Sequence, residues 1–305
     1  MSKESDLTKE VNDYTNQGSL DIEKIKTRIK ELEAEHLFDH ARKLIKYSIS
    51  RINKDGESSV FLHLSQKLAL CTYKDIKLNP KSRFNDALEV LNNVDPIDVS
   101  TNLETLGLAG AIYKRKWEVF NKKGSLERSL AYYYRGYKLS KKNHWNDNDN
   151  WKFDNAYTAI NTAFILDKLG YMELKESCKA NVKNGNAVNR LVKAKAIREE
   201  ISENLINLLK SKPKLNHNWW FLVTLAESFF GLAEYKEAEC WLNKAKALAN
   251  TPEWEKESTT RQLAQLLKIQ TESISNSENI VLSTLDKTKA RDTLLSFVDN
   301  EEAVE

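Results

Sequence analysis

The stretch WWFLVTLAESFFGLAEYKEAECWLNKAKALANTP, residues 219–252, decides the fold of this chain. Its apolar residues recur every three or four positions, which is the period of an amphipathic helix. The spacing predicts two facing helices with large apolar and small residues between them: Leu222, Leu225, Ala226 and Phe229 on the first, and Ala238, Leu242 and Ala245 on the second.

This 34-residue unit has the spacing of a tetratricopeptide repeat. The final Pro of that repeat is displaced, because Asn250 stands at its position and Pro252 follows two residues later. Such a helical hairpin does not bury its apolar face alone and needs stacked neighbours. We therefore predict an all-α fold, an α-solenoid of five or six tetratricopeptide-like hairpins, whose usual role is binding.

Apolar stripes at helical spacing extend this prediction along the chain. We expect residues 1–18 to be a polar N-terminal extension and residues 19–272 to be a single helical-repeat solenoid. Residues 273–305 read as a polar, acidic tail that is either disordered or carries a short helix near 288–298.

Local signals predict where several helices begin and end. Ser19 is expected to cap the first helix, and Thr101 with Glu104 has the spacing of a capping box. Gly170 is expected to end a helix. Residues 143–151 read as an inserted loop, and Pro252 is expected at the first position of the last solenoid helix.

Composition excludes several classes of protein. The 305 residues include 47 basic and 44 acidic side chains, so a net charge of +3 gives no general attraction to nucleic acid. No segment approaches the roughly 18 apolar residues of a membrane span, and the N-terminus lacks a signal region. We expect a cytoplasmic protein whose three cysteines, Cys71, Cys178 and Cys240, are reduced, buried thiols.

Four short motifs occur in a fixed order: GAIYKRKW (110–117), YYYRGY (132–137), YTAIN (157–161) and NWWFL (218–222). In this the chain resembles the helical regulatory region of the apoptosis signal-regulating kinases, a TRAF-binding domain, and its bacterial relatives, the tetratricopeptide repeat sensor domains. The resemblance covers roughly residues 57–250. Ala159 departs from it, since the family has Gly there, and the 143–151 loop separates two of the motifs.

The resemblance implies a regulatory protein that stands alone, because no Gly-rich loop, His-Arg-Asp or Asp-Phe-Gly signature of a kinase is present. Its bacterial relatives are thought to accompany effectors such as proteases, TIR domains or nucleases in conflict and defence systems. The resemblance also implies that a nucleotide-like small molecule is the signal they sense.

Basic and aromatic residues alternate in two of these motifs. Lys114, Arg115 and Arg135 lie among aromatic side chains that include Trp117 and Tyr133. Arg can hold a phosphate with two hydrogen bonds while an aromatic ring stacks on a base, so this pattern suits a phosphorylated ligand. The alternative interpretation is a solvated charged face beside packed aromatic rings.

Two further pairs are candidate contacts. Tyr157 and Asn161 are one helical turn apart and share a face. Asn161 either forms a hydrogen bond between helices or contacts a ligand on the concave surface. Of Trp219 and Trp220, one is expected to pack against the preceding repeat, and the other either packs as well or forms a platform for a peptide or base.

Other polar clusters lack some of the residues that a complete metal site needs. His36 and His40 flank Asp39 at helical spacing, but no third metal ligand is evident. Asp147 and Asp149 resemble the start of a calcium loop that lacks its central Gly. We therefore predict no metal, no cofactor and no enzymatic activity.

Together these patterns predict a non-catalytic sensor or adaptor. Its concave face would bind a partner protein or a small phosphorylated, nucleotide-like signal and so regulate an effector. The alternative is a plain peptide-binding scaffold without a small-molecule ligand. Either protein could form a homo-oligomer.

Overall fold

The computed structural model describes residues 9, 11–12, 21–52, 58–144, 156–182, 184–249, 251–272, 274–275, 280–282 and 286–298. Twelve α-helices account for most of these described residues, which confirms the predicted all-α architecture of helical hairpins. They are α1 (Ile22–Ala34), α2 (Phe38–Arg51), α3 (Ser58–Lys74), α4 (Pro80–Val94), α5 (Leu103–Phe120), α6 (Lys123–His144), α7 (Tyr157–Lys179), α8 (Gly185–Ser211), α9 (Trp219–Gly231), α10 (Tyr235–Lys246), α11 (Glu253–Thr271) and α12 (Lys287–Phe297).

The chain divides into two compact units, Met1–Tyr132 and Tyr133–Glu305, and the division falls within α6. In the first unit α1 to α5 pack each on the next, and α3 also contacts α5. Contact between alternate helices is what stacked hairpins produce. Ile25, Ile29 and Leu32 of α1 are spaced three or four residues apart, as on one face of a helix, and all three are buried in the core.

Polar contacts also join the helices of the first unit. Lys67 on α3 forms an ion pair with the buried Glu33 on α1, at 2.9 Å. On α6, the hydroxyl of Ser129 donates a hydrogen bond of 2.8 Å to the carbonyl oxygen of Gly110 on α5. These two small residues let α5 and α6 approach closely.

In the second unit α7, α9 and α11 contact one another, while α8 and α10 each pack on α9. Residues 221–230 of α9 are all buried, so this helix is enclosed by its neighbours. Ala238, Leu242 and Ala245 of α10 are buried as the repeat spacing predicts. Helices α9 and α10 therefore form the hairpin that the repeat predicts.

The C-terminal part of the described chain adds a short hairpin and a helix. Strands β1 (Ile274–Ser275) and β2 (Ile280–Leu282) pair antiparallel, with Ile274 opposite Leu282. The sequence pattern of this segment did not predict these two strands. Helix α12 packs on α10 and α11, and its apolar stripe is buried: Ala290, Leu294 and Phe297.

Several predicted helix boundaries are wrong. The side chain of Asp21 caps α1 by accepting from the Lys24 amide, and Ser19 lies outside the described residues. Asn102, rather than Thr101, caps α5 by accepting from the Thr105 amide at 3.0 Å. In each case the side-chain oxygen of the residue directly before the helix accepts a hydrogen bond from a backbone N–H group of the first turn.

Two other boundaries differ as well. Helix α7 continues through Gly170 and does not end there. A Cβ at this position would lie only 3.0 Å from Leu191 of α8, so the glycine allows the two helices to pack closely. Pro252 precedes α11 as its N-cap instead of occupying its first turn. Asn143 and His144 end α6, and the remainder of the predicted loop lies outside the described residues.

The cysteines differ in burial. Cys71 is buried and Cys178 is partly buried, but Cys240 is exposed, so the prediction of three buried thiols is wrong for Cys240. All three are free thiols. Cys240 lies on α10 between core positions 238 and 242, where helical periodicity turns its side chain away from α9.

A buried arginine fixes the junction of three helices in the second unit. Arg198 on α8 is 1% exposed and donates a hydrogen bond to Asp167 on α7. A Cβ added at Gly231, the last residue of α9, would lie 2.1 Å from Nε of Arg198. The guanidinium therefore occupies the space that any larger residue at position 231 would need.

Gly231→Ala is expected to lower the free energy of unfolding by about 1–3 kcal/mol, the usual cost of forcing a methyl group into a packed interior. Asp167 holds Arg198 in place, so the side chain does not simply move aside. Urea denaturation measures the difference. The control is Gly124→Ala on α6, where a Cβ has no neighbour within 4 Å. Equal stability of the two variants would contradict this account.

Candidate functional site

Three of the predicted site residues lie on α5 in the first unit. Trp117 is buried, and Lys114 and Arg115 are partly buried. The guanidinium of Arg115 donates to the carboxylate of Glu118 at 2.5 Å, one turn along the helix. Arg115 is therefore engaged by an anion of the protein itself, and a phosphate would have to compete with Glu118 for it.

A second arginine lies near Arg115. Arg83 on α4 donates to the carbonyl oxygen of Asp75 at 3.2 Å. Desolvation, and then the positive charge of Arg115, lower the pKa of Arg83. The two guanidinium groups thus form a basic pair on α4 and α5 that the sequence pattern did not suggest, because Arg83 is 32 residues away in the chain.

The predicted combination of cations and aromatic rings does form in the first unit, but with other basic residues. Arg128 on α6 lies with its Cζ 5.6 Å from the centre of the Tyr113 ring and donates to the Tyr113 hydroxyl at 3.0 Å. The Nζ of Lys116 lies 5.9 Å from the same ring. Tyr132 stacks on Tyr113 with 5.6 Å between ring centres.

The predicted residues of the second unit form an internal cluster. Tyr133 is fully buried, and its hydroxyl lies 3.3 Å from that of Tyr157. Asn161 is 4% exposed and donates to the carbonyl oxygen of Tyr157 at 2.9 Å, a bond within α7 rather than between helices. Arg135 is partly buried on α6. This arrangement packs Tyr133, Tyr157 and Asn161 together.

Tyr134, beside the predicted residues Tyr133 and Arg135, meets two lysines. The ammonium of Lys193 on α8 donates to the Tyr134 hydroxyl at 2.7 Å, and Lys138 lies 5.0 Å from the ring centre. This hydrogen bond is the main cause of a lowered pKa for Tyr134. Tyr137 differs, because burial and its hydrogen bond to Glu200 raise its pKa.

The two tryptophans of the predicted repeat have different surroundings. Trp219 is 7% exposed and packs beside Phe297 of α12, with 6.0 Å between ring centres. Trp220 is 36% exposed and lies beside Trp254 of α11, also at 6.0 Å. Trp219 is thus a core residue, and Trp220 is the member of the pair that a partner could reach.

Residues 34–166 match the family model Tetratricopeptide Repeats-Sensor. This part of the chain is similar to tetratricopeptide repeat sensor domains. The matched interval contains Tyr113, Tyr134 and the candidates from Lys114 to Asn161, whereas Lys193, Trp219 and Trp220 lie outside it. Searches of curated proteins and of solved structures gave no match.

One of the three thiols, Cys71, lies in an environment that shifts its pKa. Burial and then the charge of Glu33 raise the pKa of Cys71 well above its ordinary value, so this thiol stays protonated. No group of three or more His, Cys, Asp or Glu side chains suited to a metal occurs in the described part of the chain. Nor is any helix within it long and apolar enough to span a bilayer.

The Tyr134 hydroxyl is expected to titrate below the ordinary tyrosine pKa of 10.0. The Lys193 ammonium stabilises the phenolate, so Lys193→Gln should raise that pKa. NMR of ¹³Cζ-labelled tyrosine, with Tyr134→Phe to assign the signal, follows the titration. Lys210→Gln on the same helix is the control. An unchanged Tyr134 pKa in Lys193→Gln would rule out the lysine as the cause.

Proposed function

We propose that this protein is a sensor or adaptor without catalytic activity, which binds a partner protein or a small phosphorylated, nucleotide-like signal and thereby regulates an effector. The match of residues 34–166 to the sensor family carries this proposal. Tetratricopeptide arrays present extended surfaces for binding partners. Within the matched interval, Lys116 lies against Tyr113 and Lys138 against Tyr134, and these cations supply chemistry suited to an anionic ligand.

The classes of effector that we propose rest on the resemblance to the TRAF-binding regulatory region and its bacterial relatives. The motifs around Tyr113, Arg135 and Asn161 resemble those of the TRAF-binding regulatory region and of its bacterial relatives. On that basis we propose a cytoplasmic protein of a bacterial defence system, whose effector is a protease, a nuclease or a TIR-type protein. Its solenoid would extend over residues 19–272, between the polar extension 1–18 and the acidic tail 273–305.

The proposed mechanism is a shift between conformations. A stack of hairpins changes its curvature by small rotations of each hairpin against the next. A ligand that binds one curvature or one oligomeric state better than another increases the population of that state. The effector then responds to the population, and no bond of the ligand needs to be broken.

A panel of nucleotides is expected to raise the melting temperature, because a ligand of the native state stabilises it by mass action. Arg115→Ala and Arg135→Ala should abolish the rise. Glu118→Gln should enlarge it, since it removes the carboxylate that holds Arg115. Differential scanning fluorimetry measures these shifts, with Arg291→Ala on the exposed side of α12 as the control.

One observation favours the second candidate, a plain peptide-binding scaffold. Trp220 and Trp254 form an aromatic pair of which Trp220 is exposed. A melting temperature that no nucleotide changes, together with a stable peptide or protein complex lost in Trp220→Ala, would favour the scaffold. Turnover of any substrate by the purified chain would contradict both proposals.

A further inference from the structure

We propose that Lys116, Lys122 and Arg128 form a binding site for a phosphate group at the turn between α5 and α6. We call these three residues, with Tyr113, the turn site. Its ligand class is a phosphate monoester on a small molecule, held by its phosphate end. This inference deepens the sensor function proposed above and rests on it for its biological meaning, whereas binding of the anion itself stands on the geometry.

The turn gathers the three cations from a short stretch of chain. Helix α5 ends at Phe120, and Asn121 follows in the left-handed conformation with φ of 51°. This reverses the chain so that Arg128 of α6 returns to Tyr113 of α5. Lys116 approaches the same ring from α5, and the exposed Lys122 occupies the turn itself.

Two of these cations, Lys116 and Arg128, donate hydrogen bonds to uncharged side chains. The Nζ of Lys116 donates to the side-chain oxygen of Asn85 at 2.9 Å, and Arg128 donates to the hydroxyl of Tyr113. Asp98 acts on Arg128 electrostatically, but it also accepts the Tyr132 hydroxyl at 2.8 Å. The hydrogen bonds therefore hold the two side chains in place without neutralising their charge.

The positive charges act on one another. Desolvation, followed by the charges of Arg128 and Lys122, lowers the pKa of Lys116. Bringing like charges together costs free energy, and an anion placed among them removes that cost. Helix α6 begins at Lys123, directly after the turn, so the positive end of its dipole lies on the same side.

The ring contacts decide which part of a ligand is recognised. Tyr132 stacks on Tyr113 with an interplanar angle of 21°, and two cations approach that same ring. Tyr132 therefore covers one face of Tyr113, and the two cations beside the ring leave little room for a stacked nucleobase. The turn site accordingly selects the phosphate and leaves the rest of the molecule in contact with solvent or with other residues.

The test is an NMR titration of the ¹⁵N-labelled full chain at constant ionic strength with inorganic phosphate, AMP and adenosine. Phosphate and AMP should shift the amide signals of residues 116–128 saturably, and adenosine should not. Their affinity should fall as salt is added, because exposed charges are screened. Equal effects of AMP and adenosine, or shifts confined to other residues, would overturn the proposal.

Charge-neutralising variants sharpen this test. Lys116→Gln, Lys122→Gln and Arg128→Gln should each weaken AMP binding about two- to fivefold, as expected for exposed ion pairs. Lys122 is exposed in the turn, so its substitution should leave the fold intact. Lys30→Gln, an exposed lysine on α1, is the matched control. Binding by Lys122→Gln and by the triple variant as tight as by Lys30→Gln would overturn the site.

Failure of the site and failure of the sensor function give different results. A nucleotide-induced rise in melting temperature that persists in the triple variant would contradict the turn site and leave the sensor function standing. Saturable AMP binding at residues 116–128 that changes neither the small-angle scattering curve nor the oligomeric state would support the turn site and contradict the proposed switch.

Discussion

A pair of antiparallel helices exposes more apolar surface than its two members can cover for each other, and both units of this protein are shaped by that constraint. In the first unit α3 contacts α2, α4 and α5, so three helices are needed to cover it. In the second unit α9 is enclosed by its neighbours along almost its whole length. Helix α12 likewise packs on α10 and α11 and covers part of their apolar surface.

Close approach of the helices depends on small residues at a few contact points. Ser129 meets the backbone of Gly110, a Cβ at Gly136 would lie 2.6 Å from Thr158, and Gly170 packs against Leu191. Aromatic residues lie next to these contacts, at 132–134 and 157. The small residues therefore fix the separation of the helices, and the positions of the tyrosine rings and of the cations beside them follow from it.

Much of the fold could be predicted because apolar spacing is a local property of the chain. Ile25, Ile29 and Leu32 on α1, like Ala238 and Leu242 on α10, are buried as their spacing indicates. Helix ends were less predictable, since Asn102 competes with Thr101 for the cap and only the folded backbone decides between them. Gly170 was misread because its packing partner, Leu191, belongs to another helix.

The candidate site was predictable by type of residue but not by position. The combination of lysine, arginine and tyrosine occurs within the expected motifs, yet Arg128 joins Tyr113 only because the chain reverses at Asn121. Asn161 and Tyr133 are buried by contacts from other parts of the chain that a motif does not reveal. Trp219 differs from Trp220 because Phe297 of α12, which is distant in sequence, packs beside the Trp219 ring.

The contact between Arg198 and Gly231 also constrains how this sequence can diverge. Position 231 accepts a side chain without loss of stability only after position 198 has become smaller, and a smaller residue at 198 leaves the carboxylate of Asp167 without its cation. Three positions on three helices must therefore change together, in a restricted order. Among relatives of this chain, residues 167, 198 and 231 should be inherited as a set, and intermediates that change only one of them should be rare.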